Sequence, residues 1–184
     1  DDEGAGRLAT SHLISLGHTK IGMISGSPVT EMDFHQPHLR KTGYQEALLD
    51  ANLSFDPRWD AQGDFTVGGG YFAAKQMLGN PDNAPTAIFC ASDEMGFGAI
   101  QAARDLGLRV PQDVSVVGID GHPLGEFYGL STVDQSVQQQ GAKAANTLVD
   151  ILESNDPKAQ ENFESMTFWP IDLVVRSSTA RRTL

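Results

Sequence analysis

Four short polar stretches stand out because each ends an apolar run. Ser25-Gly26-Ser27 follows "KIGMIS", Gly63-Asp64-Phe65 follows "RWDAQ", Ser92-Asp93-Glu94 follows "TAIFCA", and Asp120-Gly121-His122 follows "SVVGI". Hydroxyls, carboxylates and one aromatic ring are the groups that orient a small polar ligand by hydrogen bonds and by stacking. Asp120 is the sharpest case. No helix is expected directly behind it, because Pro123 and Gly125 intervene. A ligand-accepting role there competes with a turn-forming one. Asp64, and Ser92 or Asp93, have a plainer alternative as N-caps of the helices that follow them. Phe65 reads equally as core or as a platform beneath a ligand ring.

Signatures of catalysis are thin. The chain has no G-x-S-x-G elbow, no phosphate-binding P-loop and no H-E-x-x-H. Gly68-Gly69-Gly70 lacks the spacing of a dinucleotide fingerprint, and His35-x-x-His38 has no third ligand suitably spaced for a metal. An acid–base pair built from Asp64 or Asp93 with Asp120 would need positioning groups that the sequence does not display. No enzyme, no metal and no cofactor is expected.

The elements that position these groups follow from periodicity. Continuous apolar strands at 20–25, 86–91 and 114–119 alternate with helical stretches at 4–16, 40–51, 67–78 and 93–106. Weaker strand character lies within 58–65, 130–134 and 166–176, and 135–153 reads as a long helix. Buried strands alternating with helices predict an α/β fold, a parallel sheet covered on both faces. In such sheets the ligand crevice lies beyond the carboxyl ends of the strands, where the four polar exits converge. On helix 93–106, Met95, Ala99, Ala102, Ala103 and Leu106 form one stripe; Phe97 points the other way and Ile100 flanks it. That pattern predicts either an exposed subunit contact or a second buried face.

Composition narrows the partners. A net charge of −11, with Arg40-Lys41 and Arg181-Arg182 as the only adjacent basic pairs, disfavours nucleic-acid binding by these residues. No apolar run is long enough to span a membrane. The single cysteine, Cys90, lies within an apolar run and fits a core position in a reducing compartment. The chain opens without Met directly into a helix, so a preceding segment of a longer protein is expected.

Taken in order, "EGAGRLATSHLISLGHTKIGMISG", "RKTGYQEALLDANL", "PTAIFCASDEMGFGAIQAARDLGLRVPQDVSVVGID", "LSTVDQ" and "DLVVRSST" resemble the effector-binding domain of the lactose/galactose-repressor (LacI/GalR) family of transcription regulators. The resemblance covers almost the whole chain. It implies a periplasmic-binding-protein-like type I fold, with two subdomains around a cleft, here incomplete at the N-terminus. Residues 1–131 would form the C-terminal subdomain, 132–159 a crossover and helix of the N-terminal subdomain, and 160–184 the return. A helix-turn-helix headpiece would precede the chain and carry DNA binding.

By this resemblance Arg40 and Asp120 grip a small, sugar-like effector and Phe65 lines the cleft; Asp64 at its strand exit, and Phe34 and Gln36 in the loop 27–38 expected to overhang the cleft, are further candidate contacts. Ser92 stands where the family usually has asparagine, which leaves a shorter polar group. Phe97, Ile100, Phe127 and Tyr128 match the family's dimer surface, and a cytoplasmic regulator is implied. A sugar-binding protein of a transporter is the alternative, since "GIDGHP" is also similar to that class.

Overall fold

The computed structural model describes residues 1–26, 35–154 and 167–182. Six helices and six strands follow one another as α1 (Asp2–Ser15), β1 (Ile21–Ser25), α2 (Gln36–Asp50), β2 (Asp60–Gln62), α3 (Val67–Leu78) and β3 (Ala87–Cys90). The second half runs α4 (Asp93–Asp105), β4 (Ser115–Ile119), α5 (Leu124–Tyr128), β5 (Ser131–Asp134), α6 (Val137–Glu153) and β6 (Asp172–Val174).

One sheet of order β2-β1-β3-β4-β5-β6 runs through the molecule. Its first five strands are parallel and β6 closes the edge antiparallel. Every residue of β1, β3 and β4 is buried, which is why these segments are apolar without alternation. Helices α1 and α2 pack together, as do α3 and α4, and both α1 and α4 lie on β4. The sheet is therefore covered on both faces, as its sequence predicts.

Close helix approach needs missing side chains. A Cβ on Gly43 of α2 would fall 2.0 Å from the Glu3 carbonyl of α1, and one on Gly98 of α4 would fall 2.1 Å from the Val67 carbonyl of α3. Cys90 is fully buried and free, and burial pushes its thiol well above the usual range. That matches its reading as a core residue.

Of the two readings of α4, the structure gives the second buried face. Phe97 and Ile100 are not on an exposed face: they are 2% and 1% exposed. The cause is α5, which the sequence concealed behind Pro123 and Gly125. Tyr128 of α5 stacks on Phe97 with ring centroids 4.5 Å apart, and His122 meets the same ring edge-on at 5.5 Å. Exposure is found one layer out, at Phe127 (84%) and Leu124 (50%).

Helix α6 is the opposite case. None of its residues is buried, and Val137, Leu148, Val149 and Leu152 are exposed apolar side chains.

Candidate functional site

Three of the four polar exits converge, and Ser27 of the β1 exit lies outside the described residues. A cleft of about 240 Å³ at the carboxyl edge of the sheet is lined by Gln36, Arg40, Phe65, Ser92, Glu94 and Asp120. Four of these came from the strand exits and two from the start of α2.

Arg40 organises the floor. It is buried on α2 and faces four protein acceptors. Its Nε donates to Asp2 at 2.8 Å, and Nη2 donates to Gln135 Oε1 at 2.9 Å. Nη1 donates to the Ala91 carbonyl and, at a longer 3.4 Å, to Asp120 Oδ1. The guanidinium thus ties α1, the β3 exit, the β4 exit and the β5 exit together. Breaking such a buried hub would leave its partners' charges and lone pairs without compensation.

Asp120 sits on strained backbone, with φ of 124°, while its N–H donates to the Val133 carbonyl. A non-glycine residue in that region is held there by its surroundings. Burial pushes its carboxyl up to about 6; Arg40 opposes the rise and Glu94 adds to it. The acid is therefore mostly ionised at neutral pH and accepts hydrogen bonds at the cleft wall.

Phe65 is both things the sequence allowed. It packs against the core and lines the cleft. Its ring lies directly over Gly26, where an added Cβ would be 1.9 Å from Cε2. Asp64 and Phe65 both adopt positive φ, at 53° and 55°, and this tight turn sets the ring over β1.

The caps resolve cleanly. Ser92 caps α4 by accepting from the Met95 N–H at 3.3 Å, so Asp93 is not the cap. Thr66, not Asp64, caps α3, accepting from Gly69 N–H at 2.9 Å. Asp64 is not among the residues lining the cleft. Asp93 is instead fully buried beneath the site. Its Oδ2 accepts from His122 N–H at 2.7 Å, and Oδ1 rests over Gly118 without a hydrogen-bond partner among the described residues. Burial pushes this carboxyl up to about 7.

Phe34 lies outside the described residues. Two contributors escaped the sequence reading, Asp2 and Gln135, which hold Arg40; Glu94 was read only as part of the β3 exit and not as a ligand contact. Asp2 reads as an ordinary first-turn acid of α1, and Gln135 as a residue past a short strand. Only their place beyond the carboxyl edge of the sheet hinted at the site.

The periplasmic binding protein-like domain model matches residues 10–179. This chain belongs to that family. Among curated relatives, a PurR HTH-type transcriptional repressor of Haemophilus influenzae is 36% identical over 175 residues, covering 94% of this chain and 50% of the relative. The chain thus spans about half the length of the curated relatives it matches. Among solved structures, the complex of the transcriptional regulator CelR with cellobiose superposes with a TM-score of 0.81 at 35% identity, covering 97% of this chain and 52% of that one. The Lac repressor dimer bound to operator and the anti-inducer ONPF gives 0.83 at 28%, covering 98% and 59%. The periplasmic-binding-protein-like architecture read from sequence is thereby shown, and the named relatives are regulators of the LacI kind.

Proposed function

We propose that this chain is the ligand-sensing domain of a LacI-family transcription regulator, and that the cleft takes a small polar effector, a sugar or sugar derivative. The observation that carries this reading is the pairing of Arg40 and Asp120 across the cleft floor, with Phe65 as a ring platform, in a fold shared with regulators. A carboxylate fixes ligand hydroxyls by their protons, and an aromatic face receives the apolar side of a ring.

In this reading α6 belongs to the other subdomain, while residues 132–134 stay in the sheet as part of β5. The bare apolar stripe of α6 supports that assignment, because such a stripe is a surface awaiting a partner. The effector bridges both subdomains, favours one relative orientation and so biases DNA binding by a headpiece outside this chain. The coupling would be about 1–3 kcal/mol. Dimerisation runs through the exposed Phe127 and neighbouring Tyr128, with Phe97 and Ile100 supporting them from beneath. The regulator works in the cytoplasm.

A thermal-shift screen of the intact protein against sugars, sugar phosphates and nucleobases tests the reading, repeated on Asp120→Ala. Saturation at 100 times Kd is expected to stabilise the protein by about 2.7 kcal/mol. A hit that survives Asp120→Ala unchanged would move the site away from this cleft.

A further inference from the structure

Resting on that sensor reading, we propose that the cleft selects a hydroxyl-rich ring ligand carrying no anionic group, and that Glu94 sets this choice. Among the described residues Arg40 is the only cation lining the cleft, and it is already engaged. A guanidinium has five N–H donors. Four are directed at Asp2, the Ala91 carbonyl, Asp120 and Gln135. Little of Arg40 is left for a ligand phosphate or carboxylate.

The other natural anion site at this edge is the N-terminus of α4, whose free N–H groups and dipole attract negative charge. That end is answered from within the chain. Ser92 Oγ caps it, and Asp93 and Glu94 occupy its first turn. An incoming anion would meet the Glu94 carboxylate, with Asp93 buried behind it, where a phosphate-binding domain presents bare backbone.

What remains in the lining is a set of acceptors. Asp120 is held only weakly by Arg40 at 3.4 Å. Glu94 pairs with no cation among the described residues. The Gln36 amide oxygen is buried and has no partner among the described residues. Acceptors of this kind require donors, and a ring bearing several hydroxyls supplies them. Phe65 offers the apolar surface against which the C–H face of such a ring rests.

Glu94 is the discriminating member. Arg40 divides its charge between Asp2 and Asp120, and Ser92 is neutral. The uncompensated carboxylate of Glu94 leaves the lining net negative, so it repels anions while still accepting from a hydroxyl.

Matched ligand sets, titrated calorimetrically into the intact protein, test this: glucose, galactose, ribose and cellobiose, the 5- or 6-phosphates of the monosaccharides, glucuronate and galacturonate, and adenine and hypoxanthine. The expected result is a neutral sugar that binds at least about tenfold more tightly than its anionic counterpart. In Glu94→Gln that ratio is expected to shrink about tenfold, because the anion gains relative to its neutral parent even where both lose a hydroxyl contact. A phosphate or uronate that outbinds its neutral parent overturns the inference, as does a ratio unmoved by Glu94→Gln. A nucleobase as sole binder also overturns it and leaves the sensor reading standing. If nothing binds to protein shown folded by circular dichroism, the sensor reading itself falls.

Discussion

Helices α4 and α6 carry similar apolar stripes and meet opposite fates. In α4, nine of thirteen residues are buried, including Phe97, which the stripe left pointing outward. In α6, none of seventeen is buried, although Val137, Leu148 and Leu152 repeat at helical spacing. Periodicity specifies that a helix wants a partner. It does not say whether that partner lies within the chain. For α4 the partner on the unexpected side is the five-residue α5; for α6 no partner lies among the described residues.

The contrast can be broken most forcefully in α4. Ile100→Ala removes a fully packed side chain and is expected to cost about 2–5 kcal/mol in urea unfolding. A loss below about 1 kcal/mol would mean that α4 is as loosely held as α6.

The base of α4 carries a second, pH-dependent expectation. Asp93 is raised to about 7 and Asp120 to about 6, both mainly by burial. A carboxyl raised on folding favours the native state while protonated and ceases to as pH climbs through its folded value. The Asp93 contribution should therefore fall by on the order of 2 kcal/mol as pH rises from 5 to 8, opposed over the same range by His12 and His18, whose imidazoles burial holds below the usual value. Asp56 and Asp113 are held near 2 by Arg58 and Arg109, so they act only at lower pH. Melting curves of Asp93→Asn should lack that falling contribution across pH 5–8; an unchanged slope would sink this assignment.

Smaller effects belong to α6. Gly141 lies in its middle with nothing within 4 Å of an added Cβ. Gly141→Ala should stabilise that helix by about 0.5–1 kcal/mol, read as added protection of α6 amides from hydrogen exchange. Leu152→Ala should change the stability of this chain by less than about 0.5 kcal/mol. In the intact protein the same substitution should cost distinctly more, since the proposed partner subdomain would bury it there; equal costs would contradict that placement.

How far the sequence reached follows the same division. Strands β1, β3 and β4 were plain in it because burial on both faces leaves an uninterrupted apolar run, and the four exits followed from the parallel arrangement. Arg40 was legible through the family motif and Asp120 through its abrupt placement after β4. The rest depends on contacts distant in sequence. Asp2 and Gln135 are 133 residues apart and meet on one guanidinium. Helix α5 is too short for periodicity, and its Pro123 and Gly125 signal a loop. The caps Ser92 and Thr66 displaced the more obvious aspartates because a hydroxyl in extended backbone reaches the third N–H of the helix.

Gln135 is bound by Arg40, and the next residue, Ser136, turns into α6 with φ of 54°. The guanidinium that steadies the cleft acid is thus also the anchor of the joint from which α6 departs. Mouth and joint are mechanically in series: a swing of α6 that drags Gln135 loads the same cation that holds Asp120, and a tug on Asp120 is felt at the root of the longest helix.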